Sequence, residues 1–351
     1  MKQIYVFVWM TFALILAACS SSAETTKGEG SPEVVIRFVH EESPTSVQNS
    51  YVEAFKKTIE EKSNGSIAVE IYPVGQLGNG VTQAELLQIG AVDMGIVSPG
   101  NVGTIVPESQ VMLLHFLFSD DMKVNQKVFN ESPALYETLG KAFEDKGIKV
   151  LSYWTEGFMH WTTNRKIEQP KDFQDIKFRT MPSPLIVSSY QAYGANPTPV
   201  PYEQVYSGLQ LNMIEGQTNP IFAIEQMKFY EVQEVLTLSR HSLYTTTTSI
   251  NPEFYQSLST DHKQVVNETI DEMKDKSFEI QRKFNKEDLN TIKENSSITI
   301  TELSEQQRKK FREASEIVKQ QYVDMVGGKA KEILKQLEED VKKAEQGEPL
   351  R

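Results

Sequence analysis

Between residues 34 and 97 the chain alternates strand-like and helix-like segments, and this alternation constrains the fold most. Val34-Val35-Ile36-Arg37-Phe38-Val39 reads as a strand with both faces apolar. Tyr51, Phe55 and Ile59 then recur at helical spacing and stop at Asn64-Gly65, a turn signal. Ile67, Val69 and Ile71 alternate as a second strand. Leu86, Leu87 and Ile89 fit a short helix closed by Gly90, and Met94-Gly95-Ile96-Val97 forms a third strand. Strands separated by helices cannot pair as hairpins; they build a mostly parallel sheet with helices on its faces, an α/β fold. Ile148 to Trp154 continues the sheet, and Trp161-Thr162-Thr163 reads as a crossing segment.

From about residue 260 the character changes to long, charged, amphipathic helices. Ser304 and Gln307 are spaced for a capping box, and Phe311, Ala314, Val318, Tyr322 and Met325 make one apolar stripe. Gly327-Gly328 breaks it before a last helix carrying Ile333, Leu334, Leu337 and Val341. The chain contains no internal repeat.

The N-terminus reads as a targeting signal. Lys2 precedes an apolar run, Ile4 to Leu16, too short to span a bilayer comfortably, and Leu16-Ala17-Ala18-Cys19 has the form of a cleavage site. Residues 1–18 are expected to be a lipoprotein signal peptide, with Cys19 the lipidated residue and lipid the membrane anchor. Residues 19–32, rich in Ser, Thr, Glu and Gly, are expected to be a flexible tether. Cys19 is the only cysteine, so no internal disulfide and no catalytic or metal-binding thiol is available after it. Removing 1–18 takes away Lys2 and moves the formal charge from −12 to −13. That balance argues against a nucleic-acid surface. An anionic ligand would have to be drawn by a local field in a cleft.

The chemistry concentrates in Lys177 to Pro220, KFRTMPSPLIVSSYQAYGANPTPVPYEQVYSGLQLNMIEGQTNP. Arg179 sits at a strand end, and Asn219 is locked in front of Pro220. A guanidinium fork with a neutral amide beside it suits capture of a carboxylate. This run resembles the substrate-binding proteins of tripartite ATP-independent periplasmic (TRAP) transporters, in particular the C4-dicarboxylate-binding type, with Glu215 in place of the family's aspartate. The resemblance covers nearly everything from Val34 to about Val341.

The resemblance implies a two-lobed periplasmic-binding-protein-like fold with hinge strands and a long bracing helix. It places lobe I at 33–157 with 245–284, and lobe II at 158–244 with 285–345. It implies capture of a small organic acid and delivery to membrane permease subunits, with no chemical step and no cofactor. It makes Arg179 the carboxylate clamp and Asn219 its partner. Phe222 suits a cleft wall or the core equally. Many relatives carry a second arginine where Met159 stands, and a thioether cannot stabilise a second carboxylate. The site would then take a monocarboxylate, or a ligand whose far end is apolar or hydroxylated. Trp154 and Trp161 fit either that pocket or the core. Glu42, at the first strand's end, suits an ammonium or hydroxyl group, or else solvent. Gln76, in Gln76-Leu77-Gly78, and Asn101, in Ser98-Pro99-Gly100-Asn101, stand on loops at strand ends, where open α/β sheets place ligands.

Two other functions compete. A binding protein for an ATP-driven importer or a sensor would share the same cleft. A surface lipoprotein enzyme would need a nucleophile, metal or tuned acid–base pair. The five histidines are scattered without metal-ligand spacing, Gly95 to Gly100 misses a G-x-S-x-G elbow by one residue, and no phosphate-cradling loop is present.

Overall fold

The computed structural model describes residues 31–350; the signal segment, Cys19 and most of the tether lie outside them. Eleven strands form two sheets among these residues. The first has the order β2-β1-β3-β10-β4, from Val34–Val39 (β1), Ile67–Tyr72 (β2), Met94–Val97 (β3), Lys149–Phe158 (β4) and Leu243–Ile250 (β10). β1 runs parallel to β2 and β3, as the helices between them require, while β10 lies antiparallel between β3 and β4. The apolar positions read from the sequence supply the core: Tyr51, Phe55 and Ile59 of the helix Val47–Lys62 are buried against Ile36 and Phe38. β1 is not covered along its whole length, for Val35 is 41% exposed.

The second sheet has the order β11-β9-β5-β8-β6-β7, from His160–Thr163 (β5), Lys177–Thr180 (β6), Asn196–Pro199 (β7), Gly216–Asn219 (β8), Val235–Leu238 (β9) and Thr299–Glu302 (β11). Its core is aromatic, with Trp161, Phe173, Phe178, Tyr190, Tyr193 and Phe311 packed edge to face. The acidic residue that departs from the family pattern has a structural role here. Glu215 accepts the Lys177 N–H at 3.0 Å, and its own N–H donates to the Lys177 carbonyl.

Two segments cross between the sheets. β4 runs into β5 with only Met159 between, and β9 runs into β10 through Ser239–Ser242. The Met159 N–H donates to the Ser242 carbonyl at 2.9 Å, which ties the crossings together. A third connection is the helix Thr260–Asn295, whose 36 residues extend about 54 Å. Ser259 caps it, and it contains neither Gly nor Pro to bend it. Val266, Ile270, Met273 and Phe278 bury into the first lobe's core, whereas Ile292 belongs to a cluster of the second.

The C-terminal elements divide otherwise than the expected boundary at 285–345. The Ser304–Gln307 capping box forms, and the helix Glu305–Val326 buries Phe311 in the second lobe but Val318 and Tyr322 in the first. Gly327 and Gly328, at φ 65° and 46°, turn the chain back. The last helix, Ala330–Glu345, therefore lies on the first lobe, where Asp340 accepts the Ser132 hydroxyl at 2.6 Å. No helix among the described residues is long and apolar enough to cross a membrane.

Candidate functional site: a cleft between the lobes

A cavity of about 560 Å3, counting its open mouth, lies between the two sheets. The second lobe contributes Arg179, Met181, Tyr202 and Asn219; the first contributes Glu41, Glu42, Asn79 and Asn101; Tyr244 enters from the strand after the crossing.

Arg179 is the third residue of β6, with its backbone held in register against Thr198 of β7. Its Nε donates to the Val200 carbonyl at 2.9 Å, which fixes the guanidinium plane. The side chain is 3% exposed and makes no ion pair among the described residues. Burial lowers its pKa to about 10, so it stays charged at neutral pH. A buried cation without a protein counter-ion is costly, and an anionic ligand relieves that cost. Asn219 ends β8 directly beside it in the cavity wall. Its amide Nδ2 donates to Gln217 Oε1, and Gln217 Nε2 in turn donates to Thr162 Oγ1 at 3.0 Å, so the amide is oriented from behind.

Opposite stand three buried carboxyls with no lysine or arginine paired to them among the described residues. Glu41 accepts the Ser98 N–H at 3.0 Å and faces the Tyr244 hydroxyl at 3.4 Å. Burial pushes it up to about 7, against the hydrogen bonds from Ser98 and Asn101. Glu42 and Glu156 hydrogen-bond each other. Two carboxyls in contact in a buried place must share a proton. Burial, reinforced by the neighbouring Glu42, holds Glu156 well above the usual carboxylate range. Burial also raises Glu42, with the hydrogen bond from Glu156 opposing it, so the two carboxyls titrate as a pair. Gln48 braces the group: its Nε2 donates to Glu156 Oε1 at 2.8 Å, and its Oε1 accepts the Glu41 N–H at 2.8 Å.

The structure thus brings Arg179, Asn219, Glu42 and Asn101 together in one cavity wall. Other expected contacts lie elsewhere. Trp154 stacks on Tyr51 with ring centres 4.6 Å apart and donates to Thr248, inside the first core. Trp161 donates to Tyr190 Oη at 3.0 Å inside the second. Phe222 is fully buried. Gln76 is exposed on its turn and outside the lining. Met159 borders a second, adjoining cavity. Sequence reasoning passed over Tyr202, Tyr244 and Glu156. Tyr244 follows the second crossing, and Glu156 is the one carboxyl of β4. Among the described residues no cluster of His, Cys, Asp or Glu is arranged to hold a metal.

Two lobes joined by crossing strands, with opposed charges facing each other across the crevice, define a receptor that encloses a small solute. Residues 38–324 match the model of the bacterial extracellular solute-binding protein family 7, DctP, and the chain belongs to that family, the solute-binding proteins of TRAP transporters. It is 36% identical over 307 residues to the ectoine-binding periplasmic protein TeaA of Halomonas elongata, covering 87% of this chain and 89% of that one. It is 33% identical over 335 residues to the ectoine/5-hydroxyectoine-binding periplasmic protein UehA of Ruegeria pomeroyi, covering 95% and 97%. The solved structure of the H. elongata protein superimposes with a TM-score of 0.85 over 88% of this chain and 99% of the other.

Proposed function

We propose that the solute is a small zwitterion with one carboxylate and one delocalised cation, of the ectoine kind. The carrying observation is that Arg179 and the Glu41–Glu42 pair face one cavity from opposite lobes. Arg179 and Asn219 grip the carboxylate; Glu42, and Glu41 when ionised, receive the cation. Each end then satisfies a charge that the protein leaves unpaired, and the two lobes are drawn together across the ligand. Met159 supports a single-carboxylate ligand, since no second cation lines the cavity. Ectoine, the solute in the names of two relatives, combines an amidinium with a carboxylate and fits this division. The loaded protein would pass its solute to membrane permease subunits, and Cys19 would hold it at the membrane through lipid.

Calorimetry on the purified protein tests the reading. Ectoine is expected to bind and succinate to bind far more weakly. Arg179→Ala is expected to weaken ectoine by about 3 kcal/mol or more, at least roughly a hundredfold, with the fold retained. Equal affinity for succinate and ectoine would overturn the zwitterion assignment.

A further inference from the structure

Behind the charged cavity lies a second chamber of about 390 Å3, mouth included, that shares Met181 and Tyr244 with the first. Leu113, Met159, Ile186 and Leu243 give it apolar walls. Its histidines are occupied: His115 Nδ1 pairs with Tyr193 Oη at 2.7 Å, and His241 pairs with Ser239 Oγ at 2.7 Å and Tyr190 Oη at 3.1 Å. Burial keeps both imidazoles neutral. The chamber therefore offers no charge and few free polar groups, in contrast to the cavity in front of it.

Met181 stands between the two. Gly100 lies beneath it, and a Cβ added there would come within 2.6 Å of the Met181 Sδ and Cε. The missing side chain leaves the thioether tip its seat over the backbone. An unbranched side chain with three rotatable bonds can swing from such a seat.

We propose that this chamber receives a short, uncharged aliphatic substituent of the solute, admitted past Met181 while the ligand's charged ends stay in the front cavity. The proposal rests on the zwitterion reading for the placement of those ends. It makes Met159 and Ile186 determinants of which zwitterions are accepted. An ionised group has no counterpart there and is excluded, because a buried charge without a partner is strongly disfavoured.

The test is calorimetry on two series with graded aliphatic tails. One is a set of cyclic amidinium carboxylates with hydrogen, methyl, ethyl or propyl on the amidine carbon; the other runs from propionate to hexanoate. Each methylene that enters is expected to tighten binding roughly fourfold until the chamber is full. Ile186→Phe, or Leu113→Phe should that variant not fold, fills the space and is expected to flatten or reverse the gradient. A gain per methylene in the fatty acids without amidine binding would sink the zwitterion assignment but keep the chamber. No gain in either series, or a gradient that survives the filling variant, overturns the chamber.

Discussion

At the scale of single residues, the cleft is a problem of unpaired charge. Glu156 lies behind Glu42, outside the cavity lining, and is hydrogen-bonded to it. Glu156→Gln supplies an amide N–H for the same hydrogen bond and is expected to keep ectoine affinity within about threefold at pH 7. Glu42→Gln removes the charge itself and is expected to cost about 1.5–3 kcal/mol, roughly 10- to 150-fold. Equal losses in the two variants would show that Glu156 carries charge. Glu41 sets a pH dependence. A bound cation stabilises its ionised form, so affinity for a zwitterion is fully present above about pH 7 and declines as pH falls below it. Titration calorimetry between pH 5.5 and 8 reads this directly; a flat profile in Glu41→Gln would assign it. That Arg179 and Asn219 share a wall was legible because both stand in one contiguous stretch, Lys177 to Pro220. Glu156 was not: it lies 108 residues from Gln48, and only the fold brings them within 2.8 Å.

At the scale of elements, the crossing at 157–160 leaves no room for a side chain at its start. Gly157 adopts φ 119°, and an added Cβ would lie 2.7 Å from Asn285 Nδ2. Asn285, on the long helix, donates to the Glu156 carbonyl at 2.7 Å and accepts the Phe222 N–H at 3.3 Å. One side chain thus ties the end of β4 to the helix Ile221–Gln226 of the other lobe. Gly157→Ala meets both backbone strain and this contact, and is expected to destabilise the fold by about 1–3 kcal/mol in denaturant unfolding. The strands and helices themselves were readable from periodicity. Val34–Val39 and Met94–Val97 fall where their apolar runs place them. Which lobe the last helix serves was not readable, because an amphipathic stripe states that a face is buried without saying against what.

At the scale of the whole molecule, buried ionisable groups of both kinds limit stability from two sides. Glu41, Glu42 and Glu156 have raised pKa values in the folded state, so the stability they contribute is lost as pH rises above the ordinary carboxylate range, for Glu41 fully by about 7. His40, at about 4, and His115 and His160, at about 3, are depressed; their contribution is lost as pH falls below the ordinary 6.5. The ligand-free protein is therefore expected to unfold at its highest temperature between about pH 6 and 7, as thermal melts across pH 5 to 8 would read. A melting temperature that climbs steadily to pH 8 would contradict the buried-carboxyl assignment.

The helix Thr260–Asn295 has one further consequence. Its early turns are embedded in one half of the receptor and its last in the other, with no break in between. Separating the halves would have to flex this rod, like a leaf spring clamped at both ends. Stiffness in that rod, remote from any solute, is therefore expected to govern how wide the jaws part, and a softened helix to release its cargo faster.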